Sequence, residues 1–497
     1  DCLLEFLHFM QKTKPNNGAR ATIFFMVLVA ILTIALRLYK INIPLADFHS
    51  WRQADTASVS RNFATDGIDL LKPRYDDLSN IQSGMVNPQG YRMVELPIYN
   101  AEITLLNSTK VCNIDVCGRV LSILAAVITV LVIFYLLLKE NGLMAAVLGS
   151  LTFAVSPFFV FFTRVVLPDP TAVALAMSSI FFLYIFTHTQ SNKLKSRLFY
   201  SLSAVSFSLA LLVKPTVIFY AVPLAYLFIR TYTWGVLMKP FTYLFWLVVF
   251  VPIVLWRQYI LQFPEGIPAS EWLLTSVNTG GGLQNVFFKP SFFRWIFFER
   301  INNLILGGFL TPFFVLGVLV RQKRYLTHSI LLGSLAFLFT FQGGNVQHEY
   351  YQIMILPALA MFVGIGISYI HTHSKQFVSS TILVPVIAGC FAFSLFVSYY
   401  TVRTYYNYSG ELVQISQVVR DLTQKNDLVV TDTLGDTTLL YLSERRGAPS
   451  VYKDLTEMKS DGYKYFVTQK LDVAEEIIAN KTHAPIFRSD KFILFEL

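Results

Sequence analysis

The sequence is short of charge and of cysteine. Asp, Glu, Lys and Arg make up 14% of its 497 residues, whereas about a quarter of an ordinary soluble domain is charged. Its 4 cysteines are too few for a disulfide scaffold or a Cys-rich metal site. Cys112 and Cys117 are close enough in the chain to pair, but we expect two unpaired thiols there.

Several familiar functional motifs are also missing. The sequence contains no Walker loop, no Gly-x-Ser-x-Gly nucleophile elbow and no His-Glu-x-x-His zinc motif. It has no basic stripe with interleaved aromatic residues of the kind that binds nucleic acid. These absences argue against nucleotide hydrolysis, serine hydrolase chemistry, zinc proteolysis and nucleic-acid binding.

What the sequence does contain is a series of long apolar runs. Hydrophobic residues make up 54% of the chain, with 44 Phe and 25 Tyr, and a run of about 20 apolar residues can cross a bilayer. We therefore predict an all-α polytopic membrane protein with about 11 transmembrane helices. The predicted spans are residues 21–39, 116–138, 143–163, 171–187, 198–213, 217–230, 241–259, 303–320, 327–341, 353–370 and 378–400.

The basic residues predict the orientation of these spans. They cluster between alternate spans, a pattern typical of cytoplasmic loops. The clusters contain Lys12, Lys14 and Arg20; Lys193, Lys195 and Arg197; Arg230 and Lys239; Arg321, Lys323 and Arg324; and Lys375. We expect a protein of the plasma (inner) membrane with a cytoplasmic amino terminus and with residues 40–115 outside.

The composition changes after residue 400. Apolar runs give way to alternating helix and strand patterns, such as the amphipathic GELVQISQVVRDL stretch and the strand-like YKYFVT stretch. Such alternation is typical of a small α/β domain. We therefore divide the chain into a transmembrane domain over residues 1–400 and an exterior α/β domain over residues 401–497.

The first exterior loop opens with a group of polar residues. The stretch ADFHSWRQADT places Asp47, His49, Arg52 and Asp55 around Trp51. Carboxylate, imidazole and guanidinium groups can move protons and bind anions. A solvated loop would explain each residue alone, but their combination favours a functional site.

Two other exterior segments carry charge next to predicted spans. Asp169 lies between two prolines in RVVLPDPT, where it suits a helix N-cap or a fixed functional carboxylate, and Arg164 lies on the same rim. Lys214 lies in the VKPT turn between two apolar spans. A lysine there either snorkels to the surface or meets an anion such as a lipid phosphate.

Two longer loops complete the set of candidates. In FQGGNVQHEYYQ, an interfacial tyrosine belt explains Tyr350 but not His348 and Glu349, which could bind a sugar. The loop over residues 260–302 contains a three-glycine turn. We interpret it as a flap over a cavity that contacts substrate through Glu265 or Glu271.

The layout of these loops resembles that of the GT-C glycosyltransferases. The shared features are a long first exterior loop with an early acidic residue, a second acidic residue after the third span, and an exterior carboxy-terminal domain. The resemblance covers residues 20–370. Within this class, the sequence is similar to the lipid A aminoarabinose transferases and the protein O-mannosyltransferases. Such enzymes transfer a sugar from a polyprenyl-phosphate or dolichyl-phosphate carrier, with inversion and without a nucleotide-sugar site.

The resemblance implies roles for the candidate residues. Asp47 would be the general base and Asp169 would assist it, whereas Arg52, Lys214 and Arg164 would hold the donor phosphate. Apart from the resemblance, Asp55, His348, Glu349 and Tyr350 are the remaining candidates for contact with substrate.

One departure from the family pattern leaves the base open. Many relatives carry an Asp-Glu pair where this sequence has Asp47-Phe48. An alignment anchored on Arg52 puts His49 at the expected position of the base instead. Both Asp47 and His49 are therefore candidates.

The resemblance implies a polyprenyl-phosphate-linked sugar donor, an acceptor that is a glycan, lipid or protein, and contact with membrane lipid, but no nucleic acid. No cofactor is expected, and no divalent metal. Two other functions remain: a lipid-linked glycan transporter or flippase, and a scaffold that displays the α/β domain. Transporters usually have internal repeats and charges near the membrane midplane, so charges clustered on one side favour the enzyme.

Overall fold

The structure is a computed structural model that describes residues 17–268, 289–374, 378–480 and 482–497. The predicted flap residues Glu271, Gly280, Gly281 and Gly282 and the basic residues Lys12, Lys14 and Lys375 lie outside the described residues.

Helices dominate the part of the chain before residue 403. The first helices are α1 (Asn17–Arg37), α2 (Ser50–Asp66), α3 (Ile98–Ser108), α4 (Ile114–Glu140), α5 (Leu143–Val155), α6 (Pro157–Phe162), α7 (Asp169–His188), α8 (Lys193–Val213), α9 (Ala221–Tyr232) and α10 (Pro240–Ile260). They are followed by α11 (Pro290–Phe293), α12 (Thr311–Leu319), α13 (Leu326–Thr340), α14 (Gln342–Gln347), α15 (Leu356–His373) and α16 (Ser380–Val402). Short 3-10 helices cover Pro215–Tyr220, Thr233–Met238, Pro264–Gly266, Glu349–Ile355 and Arg403–Tyr406, and a π-helix covers Arg294–Ile305.

Many of these helices are long and apolar enough to cross a membrane. Within the described ranges there are 8 such segments, and α5 and α13 are shorter apolar helices. The eight are α1, α4, α7, α8, α9 with its flanking 3-10 helices, α10, α15 with the 3-10 helix before it, and α16. The predicted polytopic membrane fold is confirmed.

Two of the predicted spans are broken. The span predicted at 143–163 is α5 followed by α6, which begins at Pro157, a residue without an N–H group for the helical hydrogen-bond ladder. The span predicted at 303–320 is interrupted at Gly307, whose φ of 57° is left-handed. A side chain at Gly307 would also collide with the carbonyl oxygen of Ser394 in α16.

The carboxy-terminal part forms a small α/β fold, as predicted. Its helices are α17 (Gly410–Leu422), α18 (Thr438–Ser443), α19 (Leu455–Ser460) and α20 (Leu471–Ala479), and its strands are β1 (Leu428–Thr431), β2 (Gly447–Ala448), β3 (Tyr463–Thr468), β4 (Ala484–Arg488) and β5 (Ile493–Glu496). The sheet order is β2-β1-β3-β5-β4. Strand β1 runs parallel to β2 and β3, whereas β5 is antiparallel to β3 and β4.

The loop between α1 and α4 is organised around α2, a polar helix that is nevertheless buried. Its sequence SWRQADTASVSRNFATD has few apolar residues, yet Arg52, Asp55 and Thr56 are all at most 6% exposed. α2 packs against α3, α4 and α18 of the α/β part. Buried polar groups are costly unless they have partners, so the polar side chains of α2 require partners from the elements around it.

One sequence expectation about this loop is wrong. Cys112 and Cys117 form a disulfide bond at the start of α4, where we expected two unpaired thiols. The chain between them contains Asn113, whose side chain caps α4 by accepting a hydrogen bond from the Val116 N–H group. The helix cap brings the two half-cystines within one turn of each other.

Candidate active site

Two of the predicted site residues, Arg52 and Lys214, converge on Glu95, which was not predicted, and a third, Asp169, contacts Lys214. The Oε1 atom of Glu95 lies 2.7 Å from Arg52 Nη2 and 2.9 Å from Lys214 Nζ. Lys214 Nζ also lies 3.6 Å from Asp169 Oδ2. We call Arg52, Glu95, Asp169 and Lys214 the Glu95 cluster.

Four separate chain segments build the Glu95 cluster. Arg52 comes from the first turn of α2, and Glu95 lies shortly before α3. Asp169 is the first residue of α7. Lys214 follows α8 and precedes Pro215, and a residue before proline is restricted to extended backbone, which agrees with its φ of −155° and ψ of 103°.

The Glu95 cluster balances its charge internally. Two cations face two carboxylates, and the side chains are between 2% and 12% exposed. Burial alone would raise the pKa of Glu95, but Lys214 and Arg52 outweigh burial and hold that pKa well below its usual range. Among the described residues, Asp169 Oδ2 has no hydrogen-bond partner. The cluster therefore holds two cations at a place where an incoming anion could replace a carboxylate partner.

His49 lies directly before α2 and faces another carboxylate. Its φ of 57° is left-handed, a conformation that is uncommon without glycine and that recurs at functional sites. His49 Nε2 lies 2.9 Å from Glu349 Oε2, and Glu349 Oε1 lies 3.1 Å from Arg300 Nη2. A carboxylate bound to an imidazole orients the ring and stabilises its protonated form. We call His49, Arg300 and Glu349 the His49 cluster.

Aromatic rings surround the His49 cluster. The ring centroid of Tyr350 lies 5.2 Å from that of His49, and the ring centroid of His348 lies 5.8 Å from it. Trp51 packs on His348 at 5.7 Å. Burial, with a smaller contribution from His49, lowers the pKa of His348 to about 4, so His348 is neutral near pH 7. His348 therefore acts as one of the aromatic rings around the His49 cluster and not as a cation.

Asp47 lies in a third group, which is closed to solvent. Its Oδ2 atom lies 3.8 Å from Arg119 Nη2 and 3.9 Å from Arg164 Nη2. Gln53 Nε2 donates a hydrogen bond to Asp47 Oδ1 at 2.7 Å. Burial raises the pKa of Asp47, although the two guanidinium groups oppose this. The side chains of Asp47, Arg119 and Arg164 are 0% exposed, and we call these three the Asp47 cluster.

Asp55 connects the first loop with the α/β part. Its Oδ2 atom lies 2.9 Å from Arg92 Nη2, and its Oδ1 atom accepts a hydrogen bond from Thr437 Oγ1 at 2.7 Å. Asp55 and Arg92 line the same small cavity as Arg52 and Glu95. Its volume is about 20 Å³, room for about one water molecule.

Two larger cavities lie along the π-helix. One of about 400 Å³ adjoins the His49 cluster and is lined by Arg300 and Glu349 together with Trp295 and Asn303. The other, of about 220 Å³, is lined almost entirely by apolar side chains. These include Phe297, Ile301, Phe314, Leu331, Leu335 and Leu359.

The structure distributes the predicted site residues over three groups. Arg52, Asp169 and Lys214 are in the Glu95 cluster, with Asp55 beside them; His49 and Glu349 are in the His49 cluster, with His348 and Tyr350 beside them; Asp47 and Arg164 are in the closed Asp47 cluster. Sequence reasoning missed Glu95, Arg92, Arg119 and Arg300. For Glu95 the signal was an acidic residue in the apolar ELPIYN stretch, whereas the three arginines have no distinctive local sequence.

A metal site was not expected. In the part of the chain that the structure describes, no three His, Cys, Asp or Glu side chains come together as possible metal ligands. The expectation of a metal-free site stays a prediction.

The fold is that of the GT-C glycosyltransferases, the class that the loop layout resembles. Apo ArnT from Cupriavidus metallidurans is similar at a TM-score of 0.66 with 14% sequence identity, over 96% of this chain and 98% of that chain. AglB from Archaeoglobus fulgidus, solved with an inhibitory peptide and a dolichol-phosphate, has a TM-score of 0.57 at 10% identity, over 90% of this chain and 69% of that chain. The arabinofuranosyltransferase AftD from Mycobacteria has a TM-score of 0.56 at 13% identity, over 95% of this chain and 39% of that chain.

A sequence comparison adds to the likeness in fold. Residues 109–256 match the family described as dolichyl-phosphate-mannose-protein mannosyltransferase. No curated protein sequence matches the chain. The fold and the family match together indicate a membrane glycosyltransferase.

Proposed function

We propose that the protein transfers a sugar from a polyprenyl-phosphate carrier to a hydroxyl group of a glycan, lipid or protein acceptor, with inversion at the anomeric carbon. The observation that carries this proposal is the convergence on one carboxylate of Arg52 from α2 and Lys214 at the end of the membrane helix α8. The likeness to ArnT solved with undecaprenyl phosphate, at a TM-score of 0.63, and to AglB solved with a dolichol-phosphate supports the donor class.

Arg52 and Lys214 bind the donor phosphate. When the bond between the anomeric carbon and the phosphate oxygen breaks, its electron pair stays on that oxygen. The negative charge of the phosphate therefore grows during the reaction, and two fixed cations stabilise the leaving group more than the bound donor. Glu95 and Asp169 keep the two cations in place before the donor arrives.

His49 takes the proton of the acceptor hydroxyl. The acceptor oxygen attacks the anomeric carbon from the face opposite the phosphate, and its proton moves to Nδ1 of His49, since Nε2 faces Glu349. Glu349 then stabilises the imidazolium. Asp47 is the alternative base, but its enclosure with two arginines suits a positioning role, in which it holds the loop through Gln53.

The apolar cavity suits the polyprenyl tail of the donor. Its lining side chains come from the π-helix, α12, α13 and the start of α15, and they offer isoprene units a surface without polar groups. A long apolar chain gains free energy from such burial, at about 0.8 kcal/mol for each buried CH₂ group.

The reaction takes place on the exterior face of the plasma (inner) membrane. The positions of the basic residues support a cytoplasmic amino terminus, which puts the first loop and the α/β part outside. The Cys112–Cys117 bond in that loop also suits an oxidising compartment. Reporter fusions after Lys195 and at the carboxy terminus test this orientation, because they should report opposite sides.

The activity is tested with purified protein, a radiolabelled polyprenyl-phosphate sugar and a membrane extract as the source of acceptor. We expect label to move from the lipid donor into an acceptor that is separable by extraction, with release of polyprenyl phosphate. Donor that stays intact with every extract would refute the proposal.

A further inference from the structure

Arg92 is a buried guanidinium with unused hydrogen-bond donors. Its side chain is 10% exposed, and within the described ranges its Nε and Nη1 atoms have no hydrogen-bond partner. Its charge is held by Asp55 at 2.9 Å, and the guanidinium carbon lies 5.0 Å from the ring centroid of Tyr75. Buried donors are normally paired, so the unpaired atoms of Arg92 call for a ligand.

The surroundings of Arg92 indicate what that ligand is. Arg92 lines the same small cavity as Arg52 and Glu95, next to the proposed phosphate site. An anion held by Arg52 and Lys214 would therefore lie beside a third guanidinium. Arginine donors suit the oxygen atoms of a phosphate group.

The position of Arg92 depends on the α/β part of the chain. Asp55 holds Arg92 through one carboxylate oxygen, and its other carboxylate oxygen accepts a hydrogen bond from Thr437. Thr437 comes after a turn in which Leu434 and Gly435 both have left-handed φ, of 54° and 94°. This turn brings the start of α18 against α2.

The neighbouring threonine provides an internal comparison. Thr438 Oγ1 is 2.9 Å from Ser50 Oγ, also on α2. Thr437 and Thr438 are 2% and 1% exposed, so both are buried in the same contact between α18 and α2. They differ in that Thr437, unlike Thr438, bonds to the partner of Arg92.

We propose that Arg92 is a third cation for the donor phosphate and that Thr437 of the α/β part positions it through Asp55. The proposal rests on the proposed function, since it takes the phosphate of the lipid donor as the anion. Asp55 fixes one end of the guanidinium, and the Nε and Nη1 donors bind phosphate oxygens. The α/β part is thus a component of the donor site, which a scaffold for display would not be.

The experiment measures binding and turnover separately in the purified full-length protein. Direct binding of polyprenyl phosphate and the KM for the radiolabelled donor are compared in wild type, Arg92→Gln, Arg92→Lys, Thr437→Val, Thr437→Ser and Thr438→Val. We expect Arg92→Gln to weaken polyprenyl phosphate binding and to raise the KM for the donor, each by roughly tenfold or more, because a hydrogen bond to a charged group is lost. Arg92→Lys keeps the charge and should lose less.

The threonine variants test the connection to the α/β part. Thr437→Val should weaken polyprenyl phosphate binding by roughly threefold to tenfold, as expected for one lost hydrogen bond. Thr437→Ser, which keeps the hydroxyl, should bind polyprenyl phosphate like wild type. Thr438→Val should lower the melting temperature as much as Thr437→Val does, but it should bind polyprenyl phosphate like wild type. Equal binding by Thr437→Val and Thr438→Val would refute the role of Thr437.

The outcomes also separate this proposal from the proposed function. Wild-type binding of polyprenyl phosphate by folded Arg92→Gln and Arg92→Lys would refute the role of Arg92, even if the transferase is active. Absence of donor turnover in wild type would refute the proposed function, and the binding measurement would still decide the role of Arg92.

Discussion

The Glu95 cluster and the Asp47 cluster contain the same kinds of groups in different surroundings. Each has a carboxylate oxygen between two cations. The distances are 2.7 Å and 2.9 Å at Glu95 but 3.8 Å and 3.9 Å at Asp47. The two cations at Glu95 are 8% and 11% exposed, and Arg52 and Glu95 line a small cavity, whereas the side chains of the Asp47 cluster are 0% exposed.

This difference is the one expected between the proposed donor site and a structural ion pair. In the proposed donor site, the phosphate replaces a carboxylate partner of the two cations, which therefore remain paired throughout. An enclosed cluster offers no such exchange, and loss of one member leaves a buried charge without a partner. We therefore use access to the cluster, more than residue type, to propose which carboxylate lies near the chemistry.

The largest expected effect comes from His49, whose cluster adjoins a cavity, whereas the Asp47 cluster is closed to solvent. His49→Ala should lower the rate of sugar transfer roughly a hundredfold to ten-thousandfold, because the acceptor proton loses its base. Glu349→Gln should have a smaller effect in the same direction. The measurement is the initial rate of transfer from labelled donor, with melting temperature as a check of folding. Transfer at the wild-type rate by folded His49→Ala would return the role of base to Asp47.

The next effect concerns the donor. Lys214→Met should raise the KM for the lipid donor roughly tenfold to a hundredfold, because a charge-assisted contact to phosphate is lost. Arg324→Gln is a matched control, since it removes a cation that pairs with Glu140 at 3.3 Å and lies on the predicted cytoplasmic side. Equal KM values for these two variants would show that Lys214 has no specific role in donor binding.

The sequence was a good guide to the elements of this fold. Long apolar runs predict membrane helices because lipid leaves few alternatives for the backbone, and each predicted span falls on helical segments in the structure. The breaks at Pro157 and Gly307 follow from local backbone chemistry but were hidden by the apolar residues around them. The strands β2 and β4 were not predicted. Strand β2 has only two residues, too few for a recognisable pattern.

The site was harder to predict because its contacts join distant parts of the chain. His49 and Glu349 are separated by 300 residues, and Lys214 and Glu95 by 119. The sequence shows the chemistry that each residue type can perform, but it does not show which residues pair with each other in the fold. In particular, the sequence favours Asp47 over His49 as the base, whereas their different partners in the structure support His49 as the proposed base.

A third prediction tests the structural side of the comparison. Asp47→Asn should destabilise the protein by about 3 kcal/mol, because it removes the buried carboxylate that faces both Arg119 and Arg164. The rate of transfer per folded molecule should change only a few-fold. Thermal unfolding and single-turnover transfer on the same preparation measure both quantities. Loss of transfer at an unchanged melting temperature would instead make Asp47 the base.

The smallest effect is a pH dependence at the contact between the first loop and the α/β part. Asp77 pairs with Gly447 of β2 in a parallel bridge, and its Oδ1 atom accepts a hydrogen bond from the Ser79 N–H group. Burial raises the pKa of Asp77 from 3.8 to about 6, although the hydrogen bonds from Ser79 oppose this. The folded protein thus holds the Asp77 proton more tightly than the unfolded chain does.

The sign of the pH effect follows from this difference. The protonated carboxyl favours folding fully at a pH below its unfolded value, and that contribution is lost as pH rises through about 6. Stability should therefore fall between about pH 4 and about pH 7, the range that spans the ordinary value of 3.8 and the raised pKa of about 6, and Asp77→Asn should remove about 1–3 kcal/mol of that fall. Asp69→Asn, at an exposed carboxylate of the same loop, should leave the pH profile of the melting temperature unchanged. If Asp77→Asn and wild type lose stability in parallel, the contact with β2 is not where this loss arises.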